Sequence, residues 1–311
     1  MIAEQAQATT PGSVLQHRLE GGRPVLLAEI APPRGADPAP LRRAARQLAG
    51  RVHAVGISDN RERVAMSALA AAALVAAEGV EPVLHVTTRD RNRIALVSLA
   101  LGAQALGIRN LLCTSGTHQT LGLFRTARNV YDIDAVQLLQ TCARLAEDAE
   151  LVGEEGLAGV TPFCLGAVAA PCADPPELQL MRIEKKVAAG AGFLVTQPVF
   201  DLERFGAWWQ AISRRGIPEK VAVIAGIQPL TGAALERVRA GQRPLARVPE
   251  AVLQRLAGLA GAAQRAAALE HAAQTIGQLS GLAGLGGFSL CADGDPDTAL
   301  AVIEKAGLGS D

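Results

Sequence analysis

Residues 163–199 read FCLGAVAAPCADPPELQLMRIEKKVAAGAGFLVTQPV. Two short apolar runs, Phe163–Ala169 and Phe193–Val199, flank a longer segment of helical period, Pro176–Ala189. The runs are near-continuously apolar, as strands buried on both faces are. Strand, helix, strand is one βαβ unit, and such a unit calls for parallel strands with a right-handed crossover.

The same rhythm extends in both directions. Upstream lie apolar runs at Val25–Ala31, Val52–Ser58, Pro82–Thr87 and Asn110–Ser115; downstream lie Val221–Ile227 and Gly287–Cys291. Helical segments alternate with them at Asp37–Ala49, Arg63–Glu78, Arg91–Leu106, Asp134–Glu150, Leu202–Arg215, Thr231–Arg239 and Asp297–Ala306. Eight repeats predict an α/β fold, a single (β/α)8 TIM barrel; an open doubly wound sheet is the alternative. Extra helices, Pro249–Leu256 and Ala260–Leu279, precede the last strand. The turn cluster Thr10-Pro11-Gly12 predicts a flexible extension over residues 1–22, with the barrel over 23–311. GLAGLGG (Gly281–Gly287) resembles a dinucleotide loop but precedes its strand, so it reads as a helix-to-strand turn.

Composition excludes several function classes. The chain has 311 residues, 49% of them hydrophobic, enough for a large core. Thirty basic residues balance thirty acidic ones, and aromatics make up 3%, so neither nucleic acid nor an anionic membrane is an expected partner. The longest uncharged stretch, Ala272–Ala292, is broken by Gly, Gln and Ser. The first residues carry neither a basic nor an apolar signal region. Five cysteines form no CxxC pair and read as small core residues in a reduced cytoplasm.

In a barrel, chemistry sits where strands end. Glu29 ends the first strand among apolar residues, as a general acid or as a structural partner of an Arg. His85 and Thr87 share a face of the third strand. No second His or Cys stands at ligand spacing, so no metal is expected. Arg89-Asp90-Arg91-Asn92-Arg93 reads as a solvated helix start, or as a phosphate contact. Ser115-Gly116-Thr117 is a small turn that lets a flat or phosphorylated ligand approach. Gln197 offers a planar amide to the edge of a heterocycle, Tyr131 stands in the loop after strand four, and Lys185 and Lys186 fall on a helix.

These segments, in order, resemble those of methylenetetrahydrofolate reductases. AEIAPPRG is similar to the family's Glu-containing FEFFPP-type segment, LHVTTRDRNR to its H-L-T segment, and LGIRNLLCTSGT to G-I-R-N-x-L-x-L-x-G-D. NVYDID resembles its following loop, EKKVAAGAGFLVTQPVFD resembles K-x-x-x-G-A-x-x-x-x-T-Q-x-x-F, and AGIQPLT resembles P-G-I-x-P. The resemblance spans roughly residues 23–308.

It implies a flavoenzyme of one-carbon metabolism that interconverts 5,10-methylene- and 5-methyltetrahydrofolate, with NADH or NADPH as electron donor. Glu29 would be the general acid. Ser58, His85, Thr87, Ser115, Gly116, Thr117, Tyr131 and Lys186 would lie along FAD, and Gln197 and Gln228 would meet the folate. The pattern departs from the family at Thr117, where the family has Asp, at Ala169-Ala170-Pro171, and in an acidic strand-eight loop with Asp293, Asp295 and Asp297. Two other readings are a folate-binding barrel that acts inside a methyl-transfer complex and a flavin-free hydride-transfer enzyme. Ala/Leu-rich outer helices allow a homo-oligomer or a partner subunit.

Overall fold

A computed structural model describes residues 12–61, 63–122, 125–145, 159–241 and 247–309. Its strands are β1 (Val25–Ile30), β2 (Ala54–Ile57), β3 (Pro82–Thr87), β4 (Asn110–Thr114), β5 (Cys164–Ala169), β6 (Phe193–Pro198), β7 (Ala222–Ile227) and β8 (Leu285–Leu290). They pair in parallel in sequence order, and β1 pairs with β8 to close the barrel. The (β/α)8 reading holds, and the open sheet falls away.

The helices are α1 (Val14–Glu20), α2 (Ala39–Leu48), α3 (Ala68–Ala76), α4 (Arg93–Ala105), α5 (Ala135–Arg144) and α6 (Pro176–Ala188). After them come α7 (Leu202–Ser213), α8 (Gly232–Arg239), α9 (Glu250–Ala257), α10 (Gly261–Leu279) and α11 (Pro296–Lys305). Helices α9 and α10 are the extra pair before β8. With α8 they bury a satellite core of Phe200, Leu230, Leu235 and Leu256.

Strand alternation divides the side chains between two environments. Leu26, Ala28 and Ile30 of β1 join Val55, Leu84 and Leu111 in the core between strands and helices. Their neighbours Val25 and Leu27 pack instead with Ala54, Val83, Leu112, Phe193 and Ile224, which fill the lower barrel interior. Gly166 leaves the space that the Phe193 ring occupies; a methyl there would collide with it.

Helix α1 corrects the expected flexible start. Its Leu15 is fully buried and joins the lower interior cluster. Glu81, before β3, accepts hydrogen bonds from Ser13 Oγ (2.7 Å), the Val14 amide (2.8 Å), the Leu15 amide (3.1 Å) and Asn110 Nδ2 (2.6 Å). A seven-residue helix is too short to stand alone, and these tertiary bonds hold it. Residues 1–11 of the expected extension lie outside the described residues.

Two helix boundaries also differ from the expected ones. Helix α3 starts at Ala68, not Arg63, because the Ala65 amide donates to Asn60 Oδ1 (3.1 Å) and the Met66 amide to the Pro33 carbonyl (2.8 Å). These bonds hold Ala65 and Met66 in the loop before the helix. Helix α5 runs to Arg144, and residues 146–150 of its expected length lie outside the described residues.

Candidate active site

The inward face of the upper barrel is polar where the lower one is apolar. Going up the strands, Leu27 gives way to Glu29, Val83 to His85 and Thr87, Leu112 to Thr114, and Val195 to Gln197. These residues surround a cavity of about 500 Å³ at the C-terminal ends of the strands. Leu27, Val83, Leu112, Val168 and Val195 give it an apolar floor; Ser58, Thr87, Thr114 and Thr117 supply hydroxyl groups.

Glu29 is the acidic group of the β1 wall, its side chain 11% exposed. Arg61, from the loop after β2, donates to Glu29 Oε1 at 2.9 Å. Sequence reading allowed Glu29 an Arg partner but did not single out Arg61. His85 stands on β3, two strands from Glu29. A Cβ at Gly56 would lie 2.9 Å from His85 Nε2, so the bare backbone of β2 makes room for the imidazole. Burial lowers the His85 pKa below its ordinary value, against the pull of the Glu29 carboxylate. Burial thus favours the neutral ring.

The run Arg89–Arg93 is not a solvated helix start throughout. The Arg89 side chain is 4% exposed. It bonds Asp90 (2.7 Å), the Thr117 carbonyl (3.0 Å) and the Asn60 carbonyl (2.8 Å), and so ties three loops together. Asp59, 1% exposed at its side chain, accepts from Arg91 Nη1 (2.5 Å) and the Thr87 amide (3.0 Å). Charge compensation permits this burial. Nothing local in the sequence marks Asp59, since its partner lies 32 residues on.

Of the residues the resemblance points to, Ser58, His85, Thr87, Gly116, Thr117 and Gln197 line the cavity. Gly116 turns with φ of 79°, and a methyl group there would collide with the Thr87 methyl. Ser115, Tyr131, Lys186 and Gln228 are not brought to the lining; each bonds the protein close by. Ser115 Oγ accepts from the first amide of α5 (3.2 Å). The Tyr131 hydroxyl reaches the Gly116 carbonyl (3.4 Å), and its ring stacks near His118. Lys186 donates to the Val168 carbonyl (2.5 Å), and burial pushes its pKa down to about 8. Gln228 is buried and donates to Asp293 (3.2 Å).

Cavity and fold together define a (β/α)8 barrel with a carboxylate at the mouth of an apolar-floored pocket. The chain belongs to the methylenetetrahydrofolate reductase family, whose sequence model matches residues 14–307. A Caenorhabditis elegans protein described as a probable methylenetetrahydrofolate reductase (NADPH) is 26% identical over 173 residues, 56% of this chain. The match spans about a quarter of that protein's length (24%). Among solved structures, a Clostridium thermocellum protein that binds two copies of 5-methyl-5,6,7,8-tetrahydrofolic acid superposes with a TM-score of 0.67 at 12% identity, covering 94% of this chain and 98% of that one. Oxaloacetate acetylhydrolase superposes at 0.54 and 11% identity, covering 97% and 89%. At such identities the two structures speak for the fold. Among the described residues no helix is long and apolar enough to cross a membrane.

Proposed function

We propose that this chain interconverts 5,10-methylene- and 5-methyltetrahydrofolate, with Glu29 as the proton donor, FAD as cofactor and NADH or NADPH as electron source. The observation that carries the reading is Glu29 at the cavity mouth, sharing one apolar-floored pocket with His85 and Gln197, in a chain of this family. The folate-binding barrel from Clostridium thermocellum supports a folate ligand.

The pocket fits a flavin. Its apolar floor suits the face of a tricyclic ring, and its hydroxyl and amide groups suit the polar edge. Ser58, His85, Thr87, Gly116 and Thr117 are the residues to hold it. When bound, FAD supplies hydride transfer. The chain supplies the rest. Gln197, donor and acceptor both, orients the pterin edge. Glu29 gives a proton to the amine that leaves when the methylene bridge opens, and the iminium so formed is the hydride acceptor. To donate, Glu29 must carry a proton, which requires Arg61 to move off the carboxylate. The five cysteines, free and buried, support a reducing compartment, the cytoplasm.

One observation favours the flavin-free alternative: Ser115, Tyr131 and Lys186, three of the expected flavin contacts, bond the protein itself. A titration separates the two. FAD added to the purified protein should give a bound-flavin spectrum, and anaerobic NADH or NADPH oxidation should depend on methylenetetrahydrofolate. Folate-dependent oxidation without a flavin spectrum would establish the flavin-free enzyme. Absence of folate-dependent oxidation with either nicotinamide would overturn the reading.

A further inference from the structure

Strand β6 leaves its regular ladder at the residue that carries the cavity amide. Phe193, Leu194 and Val195 pair in step with Ala222, Val223 and Ile224 of β7, and pairing resumes at Pro198 and Gly226. Three steps along β6 thus face two along β7, so β6 holds one extra residue, a β-bulge. Toward β5 the register stays regular as far as Thr196, opposite Ala169. In a regular strand only alternate residues face the barrel interior. Here Val195, Thr196, Gln197 and Pro198 all border the cavity.

Two features hold the bulge. The Gly226 amide donates to Thr196 Oγ1 at 2.9 Å, and that hydroxyl donates to the Gln197 carbonyl at 2.8 Å. Thr196 is buried. Its hydroxyl bridges a backbone donor and a backbone acceptor that the shifted register has parted. Gly226 lets the two strands close on each other, since a Cβ there would collide with the Thr196 carbonyl oxygen. The Val199 amide then returns to the Gly226 carbonyl at 2.9 Å.

The Gln197 side chain is half-buried and has no hydrogen-bond partner among the described residues. Gln228 and Gln264, by contrast, are bonded to Asp293 and to the Leu230 carbonyl. A planar amide left unpaired in a cavity wall, on a backbone fixed from behind, is placed for a ligand. We propose that Thr196 is a positioning residue: its hydroxyl holds the bulge that aims the Gln197 amide at the folate ring. This rests on the folate reading above.

The experiment measures Kd for 5-methyltetrahydrofolate by calorimetry in the FAD-supplemented protein, with Thr196→Val, Thr196→Ser, Gln197→Ala and the Thr196→Val/Gln197→Ala double variant. Urea midpoints confirm that each is folded, and Thr196→Ala, which loses the same hydroxyl, takes the place of the valine variant if that one does not fold. Thr196→Val should weaken folate binding by about tenfold, the worth of one or two neutral hydrogen bonds. Thr196→Ser keeps the bridge and should stay within about twofold of the wild type. In the Gln197→Ala background the valine should cost less than about twofold, because residues acting through one contact are not additive. A merely structural threonine would add its full loss there. Unchanged affinity in Thr196→Val, an equal loss in Thr196→Ser, or a loss that persists without Gln197 would overturn the proposal and leave the folate reading standing. If the wild type binds no folate, the folate reading fails and takes the proposal with it.

Discussion

Arg61 and Glu29 meet at 2.9 Å across the rim of the barrel, the arginine 40% exposed at its side chain and the carboxylate 11%. The pair joins an outer, movable cation to an inner, fixed acid. Glu29→Gln keeps the side-chain shape and removes the proton-donating group. Reduction of methylenetetrahydrofolate should fall about a hundredfold or more, the span of a positioned acid. The melting temperature and FAD affinity should change little. An equal fall in FAD affinity would make Glu29 a structural residue.

Gly56→Ala puts a methyl group where His85 Nε2 lies 2.9 Å away. The imidazole has to move into the cavity. Overpacking of this kind costs about 1–3 kcal/mol, and ligand affinity should drop at the same time. Urea denaturation and FAD titration on one preparation check both effects. Unchanged binding would show that the ring is not part of the ligand wall.

Glu81→Ala removes the acceptor shared by Ser13, Val14, Leu15 and Asn110. The loss should be about 2–4 kcal/mol, since one deletion strands several donors. Helix α1 should loosen first, visible as faster amide exchange over residues 14–20. Exchange there at the wild-type rate would mean that Leu15 alone holds the helix.

Lys186 predicts a pH dependence. Burial chiefly, with Arg182 adding to it and Asp134 opposing, brings its folded pKa from 10.5 to about 8. Between those values the unfolded chain keeps a proton that the folded chain has released, so the lysine's contribution to stability rises with pH. Below pH 8 both states are protonated and the burial penalty is at its full value. Urea midpoints at pH 7.5, 8.5 and 9.5 should rise less in Lys186→Met than in the wild type. Parallel curves would show that the amine titrates at its ordinary value.

Most of the architecture was legible because βα repeats write themselves locally. Val25–Ala31 or Phe193–Val199 needs no knowledge of its partners to read as a buried strand. Glu29 was legible for the same reason, as a charge in an apolar run. What escaped depends on distant partners. The α1 segment VLQHRLE is unremarkable until Glu81 arrives, 67 residues beyond Val14. Arg89 and Arg91 look solvated until Asp59, Asp90 and two carbonyls enclose them. Tyr131 and Lys186 were read as cavity residues by resemblance, and only their bonds to Gly116 and Val168 show which way their polar ends turn.

The stopper formed by Leu15 and Phe193 at the lower pole makes the pocket a cul-de-sac. On the proposed reading, ligands would enter and leave through the rim, past Arg61. Two molecules that claim the same floor must queue, and the first has to back out before the second can enter. On that reading, a bulky guest that lingered at the doorway would block its own successor.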